Sequence, residues 1–462
     1  MTTPHDYAHE HGATFRQNLI DLLKIPSIST LPEHAADVER AAQWIIAEMQ
    51  RIGLHRAEIF QQADYLPLVY GEWLGAGENA PTALVYCHYD VQPALMEDGW
   101  THDPFDPIER DGRLYARGSV DSKMHVIAQL AAVESLLKTG GSPMNIKLLF
   151  EGEEESGSEH IFEFVKRNPD LLKADVIVVS DGSMPDENQP LLVYGLRGIV
   201  TYELILTGPT RDLHSGSWGG VIHNPIHALA DMLSALHNPD GSVNVPGFYD
   251  DVRPLEAEER AALADYAPYM EGDWQGVTGA PQLWGEPEYA PHERAGARPT
   301  LEINGIAGGH YGTGFKTVLP SKAWAKISCR LVPNQDPRKI HEALSARIAA
   351  LTPPTIRSEL RSMEEGSPGV LLDWRTPAMQ AAIAAYEKGW GKRPVLARGG
   401  GSIPVVSAFQ ADLGFPQVLI AFGSRGGGAH GSDEYAVWSM FDKGIATAIH
   451  FYQTFAALSE QS

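Results

Sequence analysis

Apolar residues in the first part of the chain come in short, nearly unbroken runs: TALVYC at 82–87, IKLLF at 146–150 and ADVIVVS at 174–180. Runs of this length, bounded by polar or glycine-containing segments, predict strands buried on both faces, as in a parallel sheet covered by helices. Helical patterns lie between them, one from about Lys123 to Leu137 and another near Ile161. From about Arg197 the texture changes. TYELIL (201–206), TLEING (300–305) and WAKISCRLV (324–332) alternate apolar and polar positions, as strands with one wet face do, and helical stretches fall near 224–237 and 336–350. After about Asp373 the first pattern returns with a helix in TPAMQAAIAAYEKG, a buried run QVLIAF (417–422) and a terminal helix over 437–456.

This order predicts an α/β fold, a mostly parallel sheet covered by helices that is formed by residues 1–196 and 373–462. An inserted α+β domain over 197–372 interrupts it, and about 175 residues is an ordinary domain size. Residues 250–298, rich in Pro, Gly, Trp and acids, read as an irregular part of the insertion. No internal repeat or low-complexity tract suggests a solenoid or a tail.

With 462 residues, 43% of them apolar, the chain can bury more than one core. Its 36 Lys and Arg against 59 Asp and Glu give a formal charge of -23, which repels phosphate backbones and anionic lipid surfaces, so neither nucleic acid nor membrane is an expected partner. No apolar run approaches the ~18 residues of a membrane span, and MTTPHDYAHEHGATF has neither the basic nor the apolar region of a signal peptide. The only cysteines, Cys87 and Cys329, sit in apolar runs, a usage that fits a reducing compartment. A soluble cytoplasmic protein is the expectation.

In open α/β sheets ligands gather at the carboxyl ends of parallel strands. TALVYC runs into His88-Tyr89-Asp90, IKLLF into Glu151-Gly152-Glu153-Glu154-Glu155, and ADVIVVS into Asp181, while Asp121 directly precedes the helix at 123–137 and QVLIAF leads through a glycine-rich loop to His430. Singly, each has a plainer reading: Asp121 as a helix cap, the glutamates as a solvated turn, either histidine as a satisfied core residue. Converging on one rim, the carboxylates would repel one another unless cations neutralised them, and imidazole with carboxylate suits zinc or manganese. In an extended H-x-D unit Asp90 points the same way as His88 and can orient its ring, whereas adjacent Glu154 and Glu155 point apart and can serve different roles. No G-x-S-x-G, H-E-x-x-H or Walker A sequence occurs, and the G-x-G-x-x-G at 426–431 lacks the later acid of a dinucleotide site.

The order HYDVQP (88–93), RGSVDSK (117–123), EGEEESGS (151–158), SDG (180–182), DLHSG (212–216), RLVPNQDP (330–337), GGGSIP (399–404) and GGAHGSDE (427–434) resembles the di-zinc metallopeptidase family of cytosolic non-specific dipeptidase, carnosinase, aminoacylase and glutamate carboxypeptidase, over nearly the whole chain. HYDVQP and RLVPNQDP resemble the dipeptidase branch most. The resemblance implies two divalent metal ions, zinc in the first place with manganese or cobalt as substitutes. Asp121 would bridge them, His88 and Asp181 completing one site and Glu155 and His430 the other. It further implies Glu154 as general acid/base, with Asp90 beside His88. His214 would be lent across a homodimer, formed through the inserted lid domain, to steady the partner site's oxyanion. Arg330, Gly401 and Ser402 would hold the substrate carboxylate, with Thr317 a further substrate-side position. Asp181, where deacylase and carboxypeptidase branches carry Glu, points to substrates with a free amino group. One departure is Met124, where many members have glycine.

The expected reaction is hydrolysis of the amide bond of a dipeptide by a hydroxide bridging the two ions, Glu154 passing the proton to the departing amine. An N-acyl amino acid deacylase or a carboxypeptidase of the same family is the alternative.

Overall fold

The computed structural model describes residues 2–363 and 365–459, which divide into two compact units. The first comprises Met1–Tyr194, Leu372–Ala397 and Ala408–Ser462, and the second Gly195–Leu371 with Arg398–Ser407. The short segment 398–407, which the sequence pattern leaves with the first domain, groups with the second unit. Its Arg398 is buried against the carboxylate of Glu259, and Gly296 packs on the Arg398 backbone so closely that a Cβ there would lie 2.2 Å from a carbonyl oxygen.

The sheet of the first unit runs in the order Arg56–Phe60, Leu68–Trp73, Asn145–Glu151, Thr82–His88, Val176–Val179, Gln417–Leu419, Leu191–Leu196. Its middle strands, from Asn145–Glu151 to Gln417–Leu419, are mutually parallel. The flanking strands are antiparallel, so the sheet is mixed; the turn between Arg56–Phe60 and Leu68–Trp73 is too short for anything but a hairpin. The middle strands are buried at almost every position, because helices cover both faces. Helix Lys123–Lys138 is buried from Lys123 to Leu136, as expected of a helix packed on several sides. Lys123 is satisfied inside by donating to the carbonyls of Leu22 and Ile25 at 3.1 and 2.7 Å. Met124, at the departure from the family's glycine, is buried in the same core.

The second unit has an antiparallel sheet in the order Thr300–Gly308, Lys322–Leu331, Gly198–Thr207, Arg357–Ser362. One face, with Val200, Tyr202, Leu204, Leu206, Ala325 and Ile327, packs on helices Pro225–Ser234 and Pro337–Leu351. The region 250–298 is less irregular than its composition suggests. It holds helices Ala257–Tyr266 and Pro291–Ala297. The first carries no apolar stripe to read, since its buried positions are Glu259, Leu263 and Tyr266, and Glu259 is buried because Arg398 pairs with it. Among the described residues no helix is long and apolar enough to cross a membrane.

Candidate metal centre

Three parallel strands of the first unit deliver their carboxyl ends to one rim. Thr82–His88 ends at His88, Asn145–Glu151 leads into a single 3₁₀ turn at Glu154–Ser156, and Val176–Val179 precedes Asp181. That turn, rather than an extended chain, is what separates Glu154 from Glu155, since neighbours on a 3₁₀ turn project about a third of a turn apart. Asp121 stands before helix Lys123–Lys138, and His430 sits in the loop after Arg425–Gly427, with its backbone in the left-handed region at φ 61°.

These residues meet. His88 Nε2 lies 3.1 Å from Asp121 Oδ1 and 3.9 Å from Asp181 Oδ1, while His430 Nε2 lies 3.1 Å from Asp121 Oδ2 and 3.2 Å from Glu155 Oε1. Two donor sets result, His88–Asp121–Asp181 and Asp121–Glu155–His430, each with ligand atoms within 4.8 Å of one another and with Asp121 common to both.

Asp90 is fully buried, and its role is wider than orienting His88. His88 Nδ1 meets the Asp90 carbonyl at 3.2 Å and its carboxylate at 3.4 Å, while the two carboxylate oxygens accept the backbone N–H groups of Glu154 and Glu155 at 3.2 and 3.0 Å. One side chain thus fixes the first histidine and the glutamate turn together. Gln92 donates to Glu155 Oε2 at 2.8 Å, leaving buried Oε1 without a hydrogen bond of adequate geometry although His430 is near.

Burial and the neighbouring carboxylates push Glu154 up to about 8 and Asp181 up to about 6. Burial also opposes the Asp121 carboxylate, but hydrogen bonds from His430 and His88 outweigh it and hold Asp121 well below the usual range. The close Asp121 and Glu155 carboxylates lift His430 to about 10, and contacts with Asp121 and Asp90 overcome burial to raise His88. A nest of acids that retains protons on its carboxyls and imidazoles is one in which cations would be better neutralisers. The residues fit two divalent ions: oxygen and imidazole donors only, a shared carboxylate, and an orphaned oxygen on Glu155 facing the donor set.

The remaining expected site residues lie in the second unit. Arg330 Nη1 donates to Ser402 Oγ at 2.9 Å, and Ser402 donates to the Arg197 carbonyl at 2.6 Å, with Gly401 exposed beside them. His214 and Thr317 form a separate pair. Both are exposed, His214 faces Val318 across a two-residue ladder, and the Thr317 carbonyl accepts from Ser215 N–H at 3.1 Å. Sequence reasoning missed Gln92, although it stands inside HYDVQP, and missed Arg117 and Glu434, although they open and close the motifs RGSVDSK and GGAHGSDE that carry Asp121 and His430. It missed Arg197 as well, a guanidinium between two strands whose Nε donates to the Gly400 carbonyl at 2.8 Å. Its place in the apolar stretch YGLRGIV was the available signal.

Residues 84–455 match the family described as Peptidase family M20/M25/M40, and the chain belongs to that family. It is therefore a metallopeptidase, a hydrolase acting on peptide bonds. Among its relatives, the Cys-Gly metallodipeptidase dug1 of Schizosaccharomyces pombe is 31% identical over 96% of each chain. The Beta-Ala-His dipeptidase of Mus musculus is 30% identical over 80% of this chain and 75% of that one. Among solved structures, an M20 family metallo-carboxypeptidase from Sulfolobus solfataricus superposes with a TM-score of 0.84 at 31% identity, covering 96% of this chain and 99% of the other.

Proposed function

We propose that this metallopeptidase hydrolyses dipeptides that carry free amino and carboxyl ends. The observation that carries the reading is the pair of donor sets sharing Asp121, with Glu154 buried beside them. Two divalent ions, zinc before manganese or cobalt, would supply Lewis acidity toward the carbonyl and lower the pKa of water. Glu154, not itself in either donor set, takes the water's proton on its carboxylate and gives it to the departing amine. Asp90 holds Glu154 in place through its backbone N–H, and Asp181 offers negative charge for the substrate's amino group. Arg330, Gly401 and Ser402 bind the substrate's carboxylate, with Thr317 a further contact, and dipeptide length is selected because a longer peptide would leave one buried charge unpaired.

The relatives named for Cys-Gly and β-Ala-His dipeptides support this substrate class. A second reading, a carboxypeptidase, is favoured by the resemblance to the Sulfolobus enzyme. The assay that decides uses metal-reconstituted protein with a free dipeptide, its N-acetyl form and a tripeptide. Turnover confined to the free dipeptide supports the dipeptidase, and equal or better turnover of the N-acetyl form supports the carboxypeptidase or a deacylase.

His214 serves as an oxyanion donor lent to a second copy in a homodimer. Its exposure supports this, as does the company of exposed apolar side chains in the same unit, Trp218, Val221, Ile306, Tyr311 and Phe315, which call for a cover. The two buried free cysteines, Cys87 and Cys329, support a reducing cytoplasm as the working compartment.

A further inference from the structure

Four residues beyond His430, the carboxylate of Glu434 is fully buried. Its Oε1 accepts the backbone N–H groups of Val120 and Asp121 at 2.8 and 3.0 Å, and its Oε2 accepts the Gly118 N–H at 3.0 Å and Arg117 Nη1 at 2.6 Å. The Glu434 carbonyl accepts the Ala116 N–H at 3.0 Å, and Arg117 Nη2 reaches back to the Gly431 carbonyl at 3.1 Å. Every group around the two oxygens is a donor, so the acceptor-only carboxylate fits and a neutral amide does not. These bonds tie the loop that ends in Asp121 to the loop that carries His430.

The second loop needs such a tie. His430 and Asp433 have φ of 61° and 53°, a region that side-chain-bearing residues adopt only where their surroundings enforce it. The other restraints are few. Asp433 Oδ1 accepts from Thr101 N–H and Oγ1 at 2.9 and 3.0 Å, and Gly431 N–H bonds to the Gly428 carbonyl at 2.8 Å, but among the described residues His430 itself is held through its ring, 56% of the side chain being exposed.

We infer that Glu434 is the positioning residue of the metal centre: it sets the Asp121 backbone and the His430 loop at the separation two ions require. Arg117 works with it, neutralising the carboxylate and gripping the His430 loop at Gly431. The inference rests on reading the two donor sets as metal sites. It assigns no contact between Glu434 and an ion. Partners of this kind around metal ligands typically set affinity within a factor of about 10 to 100.

The test is Glu434→Gln, titrated with zinc by calorimetry and with cobalt(II) through its visible absorption, after removal of metal from the purified protein. We expect the metal-free variant to keep its circular dichroism, while one of the two ions binds about 10 to 100-fold more weakly and its cobalt spectrum changes. Glu434→Asp, which keeps the charge and loses one methylene of reach, should recover part of the loss. If Glu434→Gln does not fold, Glu434→Asp is read alone against the wild type. A folded variant that binds both ions with wild-type affinity and spectrum overturns the inference, whatever its turnover. Wild-type protein that takes up fewer than two ions overturns the metal reading instead, so the two failures are distinguishable.

Discussion

Strand Asn145–Glu151 of the first unit is buried at every position, whereas Gly198–Thr207 of the second alternates buried and half-buried residues along its whole length. Where both faces of a sheet are covered, polar chemistry has only the strand ends to occupy, and there the first unit collects His88, Glu154, Glu155 and Asp181. These groups share a water-poor rim and interact strongly, and the pKa values of His88, Glu154 and Asp181 are displaced upward. Strand Gly198–Thr207 of the second unit carries its charge on the half-buried face instead. Glu203 stands between Lys326 and Arg361 in neighbouring strands, where solvent screens such pairs to roughly 0–1 kcal/mol. A carboxylate thus belongs to a buried, mutually interacting cluster in one unit and to a solvated sheet face in the other.

The sharpest break between them is chemical. Glu154→Gln should leave metal content unchanged and lower kcat by a factor of order 10² to 10⁴, with the fold intact by circular dichroism. Ordinary turnover in that variant would move the proton-transfer role to Glu153 or Glu155. Next in size is the role proposed for the second unit's His214. His214→Ala and Glu154→Gln chains, each nearly inactive alone, should on mixing regain toward about a quarter of wild-type activity, because random exchange pairs about half the chains into dimers with one intact composite site. Subunit exchange confirmed by mass without recovered activity would confine His214 to its own chain.

Two smaller effects sharpen the contrast in packing. Ile327→Ala, on the covered face of the second sheet, should cost about 2–5 kcal/mol in denaturant unfolding, while Lys326→Ala next to it on the open face should stay within about 0.5 kcal/mol. Similar losses at both positions would mean that the open face is covered in solution. The smallest effect lies far from the rim, where the His5 and His450 rings lie with centroids 4.0 Å apart, tilted by 35°. Burial, then the neighbouring His5 and Lys388, lower His450 to about 4 from the ordinary 6.5, so the unfolded chain binds the proton first. The stability this ring contributes is complete above pH 6.5 and is lost as pH falls toward 4. His450→Phe should flatten that part of the decline in melting temperature, and an unchanged slope would count against it.

The residues that the fold brings together at the rim could be picked out because each follows a buried apolar run or opens a helix, and those boundaries are written in residue type. Asp121 and His430 were legible by motif, although nothing local announces that they meet. The clamps were not. Asp90 bonds to backbone N–H groups 64 and 65 positions away, and Glu434 to backbone N–H groups more than 300 positions away, so neither partner leaves a mark on the sequence near the clamp. Helix Ala257–Tyr266 escaped for a related reason, since its buried face depends on an ion pair between Glu259 and Arg398, 139 positions apart, rather than on an apolar stripe. The 3₁₀ turn at Glu154–Ser156 is likewise set by the glycine after it, at φ 118°, and by Asp90, not by periodicity.

Asp121 is common to both donor sets, and counting metal ions per chain tests that sharing most directly. Protein stripped by a chelator and reloaded with zinc should hold about two ions and regain its activity, His430→Ala should hold about one, and Asp121→Ala, which removes the ligand common to both sets, should hold neither tightly. Folded Asp121→Ala protein that still binds two ions with wild-type affinity would contradict it.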